Sequence, residues 1–129
     1  MVISMEREQS CKLTEAMELL SKRWMVLVIN RLLQGPLRFS EIENSLPISG
    51  RILSERLKEL EASGMITRVI YPEVPVRVEY SLTDKGKAFE PIVDEIRKWA
   101  ESWSEEGDPA QCEQEMRDEE NRLQHAFDE

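Results

Sequence analysis

Two groups of side chains in this sequence have types and spacings that could do chemistry. The first is a pair of thiols, Cys11 and Cys112. A thiolate is a nucleophile and an oxidant target, and a helix N-terminus or a neighbouring cation such as Lys12 favours it. The second is a run of cations and hydrogen-bonding groups between Arg38 and Arg77: Arg38, Ser40, Ser49, Gly50, Arg51, Ser54, Glu55, Arg56, Lys58, Arg68 and Arg77. Arginine and lysine neutralise phosphates, while arginine, serine and glutamate match donor and acceptor patterns on base edges. No Gly-rich phosphate loop and no Cys/His nucleophile pair occurs. The thiols lie about a hundred residues apart, and His125 is the single histidine, so zinc-ligand spacing is absent. The expectation is no catalytic residue, no metal and no cofactor.

The charge balance constrains the second group. The 129 residues carry a formal net charge of -9, which argues against a broad nucleic-acid surface. The charge is unevenly placed, however. Residues 108–129 hold eight acids and two bases, whereas Arg31 to Lys87 holds nine bases and eight acids. At 40% hydrophobic and 33% charged residues, the composition fits one globular domain. No apolar run is long enough to span a bilayer. An acidic residue by position 6 and the lack of a long apolar stretch speak against a signal peptide, so the expected location is the cytoplasm. Two cysteines are too few for a secreted disulfide framework.

The elements that would position these side chains can be read from periodicity. Leu13, Ala16, Met17 and Leu20 predict a first helix over Lys12 to Ser21. "KRWMVLVINRLLQG" is apolar nearly all round, as a buried central helix is, and Gly35-Pro36 ends it. A short helix over Phe39 to Ser45, capped by Ser40 or a neighbour, stops before Pro47. Gly50 gives backbone freedom to the turn "ISG". Leu53, Leu57 and Leu60 place one apolar stripe on a helix from about Gly50 to Ser63, and Gly64 ends it. "MITRVIY" and "RVEYSL" predict a hairpin with "PEVPV" at its tip. The register is open: Arg68 opposes Glu79 or, one residue on, Tyr80. Thr83 caps a last long helix whose apolar face includes Phe89, Ile96, Trp99 and Trp103, with Pro91 as a kink or break. Met17, Met25 and Met65 suit gap-filling core positions. Gly107-Asp108-Pro109 separates residues 1–107 from an acidic tail, 108–129. The tail is helical or partly mobile, with a weak stripe of Cys112, Met116, Leu123 and Phe127.

The order helix, helix, short helix, turn, basic-edged helix, hairpin, long helix is a mainly α arrangement with a small β-hairpin wing: a winged helix-turn-helix. On charge alone, Arg51, Arg56 and Lys58 read as a solvated face, because Glu55, Glu59 and Glu61 interleave them. The hairpin beside the helix shifts that reading towards contact with double-stranded DNA. Serine and glutamate then join Arg51 and Arg56 at bases, and Lys58 and Arg77 join Arg68 at phosphates.

Several stretches carry a resemblance: Trp24, "GPLRFSEI", "ISGRILSERLKELEASGMI", "PVRVEYSLTDKG" and Trp99. Together, over about Cys11 to Trp103, they resemble the HxlR-type branch of MarR-like winged-helix transcription regulators. The resemblance implies a homodimer that binds an inverted-repeat operator, with first and last helices building the dimer. Leu13, Met17, Ile96, Trp99 and Trp103 fall on those helices. It also implies redox sensing at a cysteine ahead of the first helix, a place Cys11 occupies thirteen residues before Trp24. In several members that cysteine meets an oxidant, quinone or other electrophile. Oxidation would join Cys11 to Cys112 or to the partner's Cys11. This chain departs from the pattern in having Cys11-Lys12 for Cys-Pro and Lys22-Arg23-Trp24 for Gly-Lys-Trp. Two alternatives stay open: a winged-helix protein-interaction module that never meets DNA, and a regulator controlled by a small molecule at the dimer helices.

Overall fold

In the computed structural model, the backbone is described for residues 2–103 and 114–122, and side chains from Cys11 onward within those ranges. The order is α1 (Val2–Leu20), α2 (Met25–Leu32), β1 (Leu37–Arg38), α3 (Phe39–Ser45), α4 (Gly50–Ala62), β2 (Ile66–Tyr71), β3 (Arg77–Leu82), α5 (Asp84–Lys87) and α6 (Glu90–Trp103). Residues 114–122 form a further helix, α7. Cys112, Leu123, His125 and Phe127 lie outside the described residues.

The core forms where apolar stripes of α2, α3 and α4 meet the sheet. Met25, Val28, Ile29 and Leu32 of α2 are buried against Ile42, Leu53, Leu57, Leu60, Ile66 and Leu82. Phe89 and Val93 close one end. The leucine stripe thus anchors α4 and leaves its opposite side to solvent. Only one side of α2 is buried, since Leu27 is exposed. Met25 and Met65 fill the core, whereas Met17 is 45% exposed and does not.

Local chemistry sets the boundaries. Ser49 Oγ accepts the Ile52 amide at 3.3 Å, satisfying one free donor at the start of α4. Gly64, at φ 80, ends that helix in the left-handed conformation glycine adopts freely. Gly50 needs no such freedom. It is the first residue of α4, where a Cβ would meet the Glu43 carboxylate at 2.6 Å and the Phe39 ring. The first helix begins ten residues earlier than apolar spacing predicts, because Val2 to Cys11 carries no clear stripe yet remains helical. At α3 the N-cap is Arg38, whose amide donates to Glu41 Oε1 at 3.1 Å, and not Ser40. The last helix is two helices. Thr83 Oγ1 caps α5 by accepting from the Gly86 amide at 3.2 Å. The chain breaks at Ala88–Phe89, so Pro91 falls in the first turn of α6, where its missing N–H costs nothing.

The sheet has three strands in the order β1-β3-β2, all antiparallel, rather than a hairpin alone. Leu37 and Arg38 pair with Tyr80 and Glu79, tying the entry of α3 to the wing. Arg68 opposes Tyr80 and Val69 opposes Glu79, which settles the register.

Candidate nucleic-acid interface

The exposed side of α4 carries Arg51, Glu55 and Lys58, spaced so that they lie along one stripe. Ser54 is half-buried beside it. A narrow cleft between α4 and the sheet is lined by Ser54, Lys58, Glu61, Arg68 and Tyr80, so Arg68 of the wing joins the helix's cation. A second cleft, about 440 Å³, runs from α3 to the wing tip and brings Arg38 and Ser40 to Val74, Val76 and Arg77. Arg38 and Ser40 are exposed, and Ser49 and Gly50 sit half-buried at the turn.

Two expected contacts are placed differently. Arg56 turns back against the body: its Nε donates to the Arg23 carbonyl at 2.8 Å, and its Nη1 donates to both Glu59 oxygens. Its side chain is 15% exposed. It fastens α4 to the turn before α2 and does not face outward with Arg51. Arg77 is held by Glu73 Oε1 at 3.3 Å and stands 3.6 Å from Glu79 Oε1, with its guanidinium 4.2 Å from the Tyr71 ring centre. Two carboxylates already compensate its charge, so Arg68 and Lys58 are the freer cations for phosphate.

Cys11 is exposed, but it lies in the interior of α1 and not at its N-terminus. The helix-end argument for a thiolate therefore does not apply. Lys12, one residue on, projects to a different side of the helix.

Leu13, Met17, Ile96, Trp99 and Trp103 are 64, 45, 47, 69 and 83% exposed. They are not core residues. On α1 and α6 they are large apolar side chains left to solvent.

Sequence reasoning missed Lys22 and Arg23. Lys22 Nζ reaches Glu59 at 3.2 Å, and Arg23 pairs with Glu119 and Glu120 of α7. The adjacent cations before Trp24 and the strongly acidic tail were the available signal.

A helix-turn-helix packed on a three-stranded wing is the DNA-binding architecture, and residues 19–108 match the HxlR-like helix-turn-helix family. The chain belongs to that family. YvaP of Bacillus subtilis, an uncharacterised HTH-type transcriptional regulator, is 56% identical over 101 residues, covering 77% of this chain and 94% of YvaP. The HTH-type transcriptional regulator YodB of Bacillus subtilis is 46% identical over 105 residues, covering 81% and 93%. The solved structure of quinone-bound YodB superposes with a TM-score of 0.64 at 41% identity, over 71% of this chain and 97% of that one. This HxlR-like protein is a transcriptional regulator with a helix-turn-helix DNA-binding fold, and its family is not an enzymatic one. No helix among the described residues is long and apolar enough to cross a membrane.

Proposed function

We propose that this HxlR-like regulator binds an inverted-repeat operator as a homodimer, each subunit placing α4 in a major groove and its wing along the flanking strand. One observation carries the reading: Arg51, Glu55 and Lys58 form an exposed polar stripe on α4 that continues through Arg68 into the wing. Arg51, Ser54 and Glu55 suit base edges, since arginine donates to guanine and a carboxylate accepts from cytosine. Ser49, Gly50, Arg38, Ser40, Lys58 and Arg68 suit the sugar-phosphate strand, with Arg77 in a weaker part. A DNA-bound regulator works beside the chromosome, so the cytoplasm is its proposed location. Binding sites are obtained by selection from random duplexes, and affinity is then followed against salt. Log affinity should fall linearly with log salt, because each phosphate contact releases counterions. Retention of no duplex even at low salt would favour the protein-interaction alternative.

Regulation by an oxidant or quinone at Cys11 is supported by the similarity to quinone-bound YodB and by the exposure of Cys11 on the helix that carries Leu13 and Met17. A quinone adds to Sγ: the S–C bond forms, and the thiol proton ends on a ring oxygen. Diamide takes two electrons and two protons from two thiols and leaves a disulfide, to the partner's Cys11 or to Cys112. Either change on α1 resets how the two subunits hold their α4 helices. Diamide should lower operator binding by the wild type and leave Cys11→Ser unaffected. An equal response in the mutant rules Cys11 out as the sensor.

A further inference from the structure

The helix beyond the family match, α7, lies against the turn that leads into α4. Arg23 Nε meets Glu120 Oε2 at 3.2 Å and Arg23 Nη1 meets Glu119 Oε1 at 3.3 Å. Trp24 Nε1 donates to the same Glu120 oxygen at 3.3 Å, and the Arg23 guanidinium lies 5.0 Å from the Trp24 ring centre. Met116 packs, half-buried, against the core. Arg117, Glu120 and Asn121 share a cleft with Pro47, Ile48 and Ser49, the residues that immediately precede α4. The Arg23 carbonyl in turn accepts from Arg56 of α4.

An arginine fork that holds two carboxylates can hold two phosphate oxygens in the same way. The turn before a recognition helix is where a DNA strand passes, and carboxylates there repel it over about 10 Å at moderate salt. We propose that α7 is a built-in competitor for DNA: Glu119 and Glu120 occupy Arg23 in the free protein, and operator phosphate takes their place on binding. Arg23 is then a phosphate contact concealed by the tail. The proposal rests on the DNA-binding reading above.

The test uses the full chain and the selected operator. E119Q/E120Q removes the two charges that face Arg23. E115Q/D118N removes two charges from the same helix that have no contact with Arg23. The first should bind about 3- to 10-fold tighter than wild type at low salt, the second less than about twofold, and the difference should close as salt rises. Met116→Ser, which loosens α7 while keeping all its carboxylates, should tighten binding in the same direction. It decides the matter if the glutamine variant does not fold. Equal tightening by both charge variants would mean that net charge alone acts, and would overturn the proposal. So would unchanged or weaker binding by E119Q/E120Q and Met116→Ser. A wild type that binds no DNA overturns the regulatory reading itself, whereas a wild type that binds with unaltered variants overturns only this one.

Discussion

A chain carrying Ile96→Glu and Trp99→Glu is expected to elute with the mass of one subunit and to bind the operator at least about 100-fold more weakly than wild type. The reason begins with the free surface. Ile96 and Trp99 are 47 and 69% exposed, and Leu13, Met17 and Trp103 extend the same apolar character along α1 and α6. Two glutamates on that surface cost little in an isolated subunit, because neither residue belongs to the buried core. In a dimer they would be buried without partners, a cost of several kcal/mol. On the proposed function, DNA affinity should follow dimerisation for a reason particular to this chain. From Arg31 to Lys87, bases exceed acids by one, so a single subunit brings little net positive charge to a phosphate lattice. Two subunits on a shared duplex convert the second contact into an intramolecular one, which multiplies affinity by about 10²–10⁴. Far-UV circular dichroism should be unchanged in the variant. Light scattering that still gives two subunits would place the interface elsewhere.

Arg51→Ala and Lys58→Ala should weaken binding in different ways. Loss of Arg51 should cost about 1–3 kcal/mol, roughly 5- to 150-fold, and relax the preference at one base pair of each half-site. Loss of Lys58 should weaken binding to all sequences alike and reduce the salt slope by about one per subunit. The distinction comes from position. Arg51 stands in the first turn of α4, the end proposed to enter a groove, whereas Lys58 is two turns on and shares a cleft with Arg68. Arg56→Ala should differ from both. It removes the bonds to the Arg23 carbonyl and Glu59, so it should lower the melting temperature and leave base preference intact. Arg56→Ala altering base preference while Arg51→Ala does not would reverse this assignment.

How much of this was legible in the sequence depends on how far apart the interacting residues lie. The leucine stripe of α4, the Thr83 cap and the stop at Gly64 are local, and their spacing announces them. The two residues of β1 carry no periodicity, so a strand that exists only through its pairing with β3 was invisible. Arg51 and Arg56 look alike in composition. They part because the leucine stripe fixes the rotation of α4 and turns Arg56 towards the α2 turn. Arg77 and Glu79 share one face of β3, so their pairing was within reach of strand alternation; the Glu73 contact depends on the wing tip and was not. The position of Cys11 within α1 was misjudged because the preceding residues lack the apolar stripe on which helix prediction relies. The Arg23–Glu120 contact spans 97 residues of sequence and needs the whole fold to appear.

The central claim, two α4 helices reading one duplex, is tested most directly by hydroxyl-radical footprinting and methylation interference on the selected operator. The prediction is two symmetry-related half-sites on one face of the DNA, with centres a whole number of helical turns apart, about 10–10.5 base pairs or a multiple, and major-groove guanines protected at each. A single protected half-site, or a footprint with no sequence preference and no two-fold symmetry, would contradict it.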